Sequence, residues 1–331
     1  MQHAEKKPEI LCLRPETDFT NFGVTPPSNL TIHYKNLLLD SDEIDRLKIN
    51  CAVLVIPAVG EKINPSFFSG TNIKMVQVTG AGFDRLEIDK LREKNIVVCN
   101  MPGGSAESVA EYCHAGAITM LRQLLTLSTS GVSNYTKIRS MMISKKMRSL
   151  TGLSVGIIGY GNIGKTTAEL FSQSGCEILV FDPIKSNVDT INGNTVKNVL
   201  LTELLKTSDI ISIHTPLTED TRNMIDVNEL SIMKPTSILI NAARGGIVNE
   251  KALANAVIYD QIGGAVIDVF STEPPLTDNP LFKVPTLIRS RLLLTPHIAG
   301  ITSQAWNDLF SRSWKNILDF VSDKSVNFIV D

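Results

Sequence analysis

No uninterrupted apolar run in the 331-residue chain reaches a membrane-spanning length; the longest, such as Cys51 to Pro57, stop far short of the roughly 18 residues a spanning helix requires. Met1 to Pro8 is polar and charged, so neither a signal peptide nor a membrane anchor is expected. Blocks of like charge are missing and the formal net charge is −2, which argues against electrostatic capture of nucleic acid or an anionic membrane. Cysteine is scarce: Cys12, Cys51, Cys99, Cys113 and Cys176 are scattered, odd in number and never spaced as a close ligand pair. That is the pattern of a reduced, cytoplasmic chain. Each cysteine lies in an apolar run and reads as inert packing, and no Cys/His/Asp/Glu spacing reads as a metal site. Internal repeats and low-complexity segments are lacking as well. What remains is a composition of 43% hydrophobic and 20% charged residues, close to a globular average. At roughly 150 residues per domain the length implies about two domains.

From Leu150 to Pro296, short apolar runs (SVGIIG, EILVF, DIISIH, SILINA, GGAVIDVF, LLLTP) alternate with helix-like stretches (NIGKTTAELFSQSG, TELLKTS, EKALANAV). This is the order of a doubly wound parallel sheet, whose strands are continuous Val/Ile/Leu runs because helices bury both faces. The first hundred residues repeat the logic more faintly, with strands expected at Ile10 to Leu13, Ala52 to Ile56, Lys74 to Val78 and Val97 to Cys99. A helix is expected over Ser41 to Lys48, with Ser41 as its N-cap. Gln304 to Val321 carries a helical apolar spacing and VNFIV after it reads as a short strand. The segment Glu111 to Leu127 is apolar on more than one helical stripe, which fits either a buried interdomain helix or a subunit interface.

GYGNIG places Gly159, Gly161 and Gly164 in a G-x-G-x-x-G arrangement directly after SVGII and at the start of a helix. The three glycines permit a tight turn, close approach of backbone to a pyrophosphate, and close packing of helix on strand. The helix N-terminus adds free amides and partial positive charge. Asp182 ends the next strand, 18 residues after Gly164, where an acid binds adenosine ribose hydroxyls and repels a 2′-phosphate; NAD is therefore expected over NADP. The alternative for Asp182-Pro183 is a strand-ending turn.

Three polar residues follow later strands: Arg244 after SILINAA, Glu273 after AVIDVF and His297 after LLLTP. Reduction of a carbonyl by hydride needs a proton donor, for which histidine is suited near neutrality. A neighbouring carboxylate orients its ring and favours imidazolium, and an arginine clamps a substrate carboxylate through two hydrogen bonds. The trio fits 2-oxo acid chemistry, against the alternatives of a surface cation, a solvated acid and a satisfied histidine. His214 is a rival histidine, although Pro216 beside it suggests a loop at the edge of the nucleotide crevice. His3, His33 and His114 have no comparable setting.

Read together, GYGNIG, Asp182, HTPLTEDTRNMID from His214, NAARGGIVNEKAL from Asn241, GAVIDVFSTEPP from Gly264 and TPHIAGIT from Thr295 resemble the D-isomer-specific 2-hydroxyacid dehydrogenase family. TGAGFDRLEID from Thr79 and NMPGGSAESVAE from Asn100 extend the resemblance, which covers roughly residues 75 to 330. It implies a Rossmann nucleotide domain (102–296) inserted into a smaller, flavodoxin-like α/β substrate domain (1–101 and 297–331), with chain crossings near Pro102 and His297 and the active site in the cleft between them. By position it makes Arg244 the carboxylate-binding arginine, His297 the acid/base and Glu273 its partner. It assigns the backbone amides of Ala81 and Gly82 to the substrate carboxylate, Asp268 to the nicotinamide carboxamide, and Tyr160, Asn162, Ile163, Thr215, Pro216 and Ala242 to the cofactor lining. The implied activity is NAD-dependent interconversion of a small 2-oxo acid (glyoxylate, hydroxypyruvate, pyruvate or 3-phosphohydroxypyruvate) and its D-2-hydroxy acid, by a homodimer. A nucleotide-sensing corepressor and a phosphite dehydrogenase are the competing readings. Two departures bear on the substrate: Asp84-Arg85 stands where Asp-Asn is common, and Asn21 to Asn29 carries no family signature.

Overall fold

The computed structural model describes residues 7–37, 39–125, 134–145, 147–185, 190–191 and 193–330; His3 and the last two residues of the apolar segment Glu111 to Leu127 lie outside them. The chain divides into two compact units, Met1–Ser105 with Ile301–Asp331, and Ala106–Gly300.

The discontinuous unit runs through β1 (Glu9–Cys12), α1 (Glu16–Asn21), β2 (Thr31–Tyr34), α2 (Ser41–Leu47), β3 (Val53–Ile56), β4 (Met75–Val78), α3 (Ile88–Glu93) and β5 (Val97–Cys99). Its five strands are parallel in the order β2-β1-β3-β4-β5, a flavodoxin-like doubly wound sheet. All residues of β3 and β4 are buried, as continuous apolar strands covered on both faces should be. One cover is the C-terminal helix Ser303–Val321, started by Thr302, whose side chain accepts from the Ala305 amide at 3.2 Å. Its Leu309, Phe310, Trp314 and Ile317 are buried, and the Phe310 and Trp314 rings lie 4.7 and 5.0 Å from Phe19. Such burial contributes roughly 1.5–3 kcal/mol per side chain. Within this apolar layer Gln77, fully buried on β4, accepts from Asn316 Nδ2 at 2.9 Å, which ties the helix to the sheet in one register.

Two local expectations change. Ser41 is the first helical residue of α2 and not its cap; Asp40 stands at the cap position but its carboxylate accepts from the Asn36 amide at 2.6 Å, closing the preceding turn instead. VNFIV forms no strand among the described residues, only a bridge from Ile329 to Cys99. Asn327 turns its amide to Asn316 Oδ1 at 2.7 Å and Phe328 takes a left-handed φ of 59°, so the backbone leaves the ladder after one pairing.

The continuous unit comprises α4 (Ala106–Leu121), α5 (Tyr135–Ser144), β6 (Ser154–Ile158), α6 (Asn162–Gln173), β7 (Glu177–Phe181), a small hairpin of β8 (Thr190–Ile191) and β9 (Asn194–Thr195), β10 (Lys197–Asn198), α7 (Leu201–Thr207), β11 (Ile210–Ile213), α8 (Val227–Ile232), β12 (Ile238–Asn241), α9 (Glu250–Ile258), β13 (Gly264–Ile267) and β14 (Leu292–Leu294). Its seven-stranded parallel sheet has the order β10-β7-β6-β11-β12-β13-β14, the Rossmann arrangement, and reverses direction between β6 and β11, where a crevice opens beyond the strand ends. The apolar stripes of α4 are used inside this unit: Val109, Cys113, Ala117 and Met120 share a core with Phe171 and Val266. No helix among the described residues is long and apolar enough to cross a membrane.

Candidate active site

The nucleotide crevice is built first by glycine stereochemistry. Gly159, directly after β6, has a φ of +88°, and a Cβ there would stand 2.7 Å from the carbonyl oxygen of His214. The β6 and β11 loops therefore touch backbone to backbone. A Cβ on Gly164 would meet the Gly159 carbonyl oxygen at 2.1 Å, so only glycine lets α6 start this close to the turn. Gly161 is the N-cap of α6 without a side-chain cap bond, and a Cβ there would meet nothing within 4 Å. Uncapped amides facing open space form an anion cradle.

Asp182, after β7, accepts from the Tyr160 amide at 2.8 Å through Oδ2 and from the Ile184 and Lys185 amides at 2.9 and 3.1 Å through Oδ1. Burial works to raise its pKa, but those amides outweigh it and hold the carboxylate below its ordinary range. Asp182 thus makes a turn and braces the glycine loop at once. A glycine-walled turn, an uncapped helix start and an ionised acid on the neighbouring strand fit the pyrophosphate and adenosine ribose of NAD.

His214 is not placed for proton transfer. Its Nε2 lies 2.8 Å from Ser212 Oγ and burial pushes its pKa down to about 3, so the ring is neutral at physiological pH and its backbone serves the glycine turn. Thr215 and Pro216 follow it at the crevice edge, where Thr221 Oγ1 donates to the Pro216 carbonyl at 2.7 Å.

Arg244, Glu273 and His297 all follow strand ends of this one sheet. Glu273 Oε2 stands 2.7 Å from His297 Nδ1, and Oε1 accepts from the Phe270 amide at 3.0 Å. Burial raises the Glu273 pKa, yet the bonds from His297 and Phe270 and the charges of His297 and Arg244 outweigh it, leaving the carboxyl lowered from its ordinary value. A carboxylate accepting at Nδ1 fixes that nitrogen as the protonated one and leaves Nε2 unengaged by Glu273. Arg244 is carried by a turn that Asn241 braces, donating from Nδ2 to the Arg244 carbonyl at 2.9 Å and accepting from the Ala243 amide at 3.1 Å; Ala242 lies between. A Cβ on Gly245 would fall 1.8 Å from the Phe270 carbonyl oxygen, so this glycine lets the Arg244 turn lie directly on the Glu273 loop. The motif NAARGG carries that signal in Gly245, which was not among the expected site residues.

His297 has a left-handed φ of 54°, uncommon for a residue with a side chain. Asp268 holds it there. Its carbonyl accepts from the His297 amide at 2.8 Å, and its fully buried carboxylate accepts from the Ile298 and Ala299 amides, each at 2.8 Å, and from Thr295 Oγ1 at 2.5 Å. Tyr112 Oη lies 2.5 Å from the same Thr295 oxygen. The threonine has one proton and gives it to Asp268, so Tyr112 donates to Thr295. Burial raises the Tyr112 pKa, which keeps the phenol a donor. Neither Thr295 nor Tyr112 was among the expected site residues.

In the discontinuous unit, Ala81 and Gly82 lie on the loop after β4, anchored by Asn100 Nδ2 donating to the Ala81 carbonyl at 2.7 Å. Arg85, the departure noted above, is buried and donates to the Glu61 and Pro57 carbonyls at 2.7 and 2.9 Å, so it ties two loops together.

This fold and site define a class, the dinucleotide-dependent oxidoreductases built on a Rossmann sheet. Residues 116–299 match the NAD binding domain of the D-isomer specific 2-hydroxyacid dehydrogenases. The chain is 34% identical over 267 residues to hydroxypyruvate reductase of Thermotoga maritima, covering 81% of this chain and 84% of that one. It is 37% identical over 234 residues to (S)-sulfolactate dehydrogenase of Chromohalobacter salexigens, covering 71% and 73%. Among solved structures, D-lactate dehydrogenase of Aquifex aeolicus, complexed with NAD and lactic acid, superposes with a TM-score of 0.79 at 25% identity over 95% of this chain and 96% of that one. The chain belongs to the D-isomer-specific 2-hydroxyacid dehydrogenase family. It is an NAD-dependent oxidoreductase interconverting a 2-oxo acid and its D-2-hydroxy acid.

Proposed function

We propose that this enzyme reduces a small 2-oxo acid of the size of glyoxylate, hydroxypyruvate or pyruvate, with His297 as the acid. The observation that carries the reading is the 2.7 Å contact between Glu273 Oε2 and His297 Nδ1, on a sheet edge where the Arg244 charge reaches the same carboxylate. When bound, NADH supplies the hydride. His297, oriented through Nδ1, donates its Nε2 proton to the substrate carbonyl oxygen and ends neutral; in the oxidising direction it takes that proton back. Arg244 binds the substrate carboxylate in a bidentate fork and polarises the adjacent carbonyl. Glu273 acts through His297, and Asp268 with Thr295 and Tyr112 holds the His297 turn. The uncapped amides at Gly161, Asn162 and Ile163 bind the pyrophosphate and Asp182 the ribose, while Ala242, Thr215, Pro216 and Tyr160 line the cofactor. In the role assigned by resemblance, Asp268 also meets the nicotinamide carboxamide, and the amides of Ala81 and Gly82 bind substrate carboxylate. On this reading, residues 1–101 with 297–331 form the substrate domain and 102–296 the nucleotide domain.

The size of the substrate is supported by the likeness to a hydroxypyruvate reductase along 84% of that protein. NADH oxidation with a panel of glyoxylate, hydroxypyruvate, pyruvate and 3-phosphohydroxypyruvate, beside NAD reduction with phosphite, tests it. Fast turnover of an unphosphorylated acid is expected; turnover confined to phosphite, or NADH binding without turnover of any 2-oxo acid, overturns the proposal. We further propose a cytoplasmic homodimer. Five buried, unpaired cysteines suit a reducing compartment, and α5 buries none of its residues while exposing Tyr135 and Ile143. A monomeric mass by light scattering contradicts the dimer.

A further inference from the structure

Three side chains far apart in sequence meet on one face of the discontinuous unit's sheet. Glu9 opens β1, His33 lies on β2, and Cys51 stands two residues before β3; β1 pairs with both neighbours. His33 is in register with Leu11, which shares a strand face with Glu9 by the two-residue period. Cys51 belongs to the same core cluster as Leu11 and Leu54. One ligand atom from each of the three lies within 4.8 Å of the others, and Glu9 Oε2 is 3.2 Å from His33 Nε2. The thiol is buried, whereas the Glu9 and His33 side chains keep 16% and 27% of their surface exposed. A soft donor therefore sits at the bottom and two harder donors at a solvent-facing mouth.

We propose that Glu9, His33 and Cys51 bind a divalent transition-metal ion of the zinc type, with water as the fourth ligand. Carboxylate, imidazole and thiolate are the donors that zinc takes, and a set of three protein ligands leaves one open position. Zinc–donor lengths put the ligand atoms of a tetrahedral site about 3.4–3.6 Å apart, so side-chain rotations of about an ångström gather these three. Thiolate and carboxylate bring two negative charges, which the ion offsets, the thiolate's being the one buried away from water. On binding, the Cys51 thiol proton and the Nε2 proton that His33 donates to Glu9 leave to solvent, which frees the Nε2 lone pair for the metal. The thiol disfavours calcium and magnesium, which take oxygen donors. No spacing motif announces the site, because Glu9 and His33 come from two strands and Cys51 from the lead-in to a third, brought side by side only by sheet pairing.

The test uses the purified full-length chain, stripped with a chelator and titrated with zinc and with cobalt(II). One ion per chain is expected, with near-ultraviolet thiolate-to-cobalt charge-transfer absorption. Cys51→Ser should abolish that absorption and weaken zinc binding by at least about 100-fold, and His33→Gln by about 10-fold or more. Unchanged circular dichroism and NADH affinity establish that each variant is folded, and His33→Gln, on the edge strand β2, serves if Cys51→Ser does not fold. Absence of the cobalt absorption, or zinc held as tightly by folded variants as by the native chain, overturns the proposal.

Discussion

Replacing Thr295 by valine tests whether the His297 turn is held by a relay of hydrogen bonds or merely by packing. The threonine hydroxyl donates to the fully buried Asp268 carboxylate and accepts from Tyr112, both at 2.5 Å. Losing a hydrogen bond to a charged group costs about 1.5–3 kcal/mol, and stranding the Tyr112 hydroxyl costs about 1–3 kcal/mol more, so Thr295→Val should destabilise by roughly 3–5 kcal/mol. Tyr112→Phe removes a neutral donor and should cost only about 0.5–1.5 kcal/mol. In the double variant no hydroxyl is stranded, and the loss should fall to about 2–3 kcal/mol, below the sum of the single losses by at least about 1 kcal/mol. Calorimetry of the four proteins measures the cycle; for a unit of this size about 2–4 °C accompanies each kcal/mol, so Thr295→Val should melt roughly 6–20 °C lower. Losses that add within about 0.5 kcal/mol would refute the relay.

Two further outcomes follow from single carboxylates. Asp182→Ala should weaken NAD binding by roughly 10- to 100-fold, the equivalent of a hydrogen bond to a charged group, and weaken NADP binding much less, because the charge facing a 2′-phosphate is gone; equal losses by titration calorimetry would show that only the brace on the Tyr160 amide was lost. Asp209 feels burial, which raises its pKa, but Arg148 at 2.6 Å and the Ser154 amide and hydroxyl pull it to about 2 from an ordinary 3.8. Its folded value is the lower one, so its contribution, roughly 2–3 kcal/mol at most, is complete above about pH 4 and lost as pH falls toward 2. Melting curves of Asp209→Asn should therefore be flatter over that range, and a slope equal to the parent's would contradict the assignment.

The sheets were legible because most of their strands are buried on both faces and read as unbroken Val/Ile/Leu runs. β2 was not, since TIHY is a sheet-edge segment with no fully buried residue, and α5 has Ile138, Met141 and Met142 at helical spacing but buries none of its residues. Arg244, Glu273, His297 and the glycine turn stood out because each follows a strand-like run, where a polar residue falls at the ligand-binding edge. The support behind them did not. Tyr112 and Thr295 are 183 residues apart, and no local spacing encodes a contact made by α4 packing beside the sheet. Gly245 differs from an ordinary turn glycine only in space: a Cβ there would fall 1.8 Å from the Phe270 carbonyl oxygen. His214, like His297, follows a strand, and the two differ in environment: one ring is enclosed against Ser212, the other is held through Nδ1 by Glu273.

The claim that His297 is the acid is tested most directly by the turnover of His297→Gln with NADH and the preferred 2-oxo acid. General acid catalysis contributes about 10²- to 10⁴-fold, so kcat should fall by that factor while NADH affinity stays at the parent value. Turnover within a few-fold of the parent would contradict the assignment.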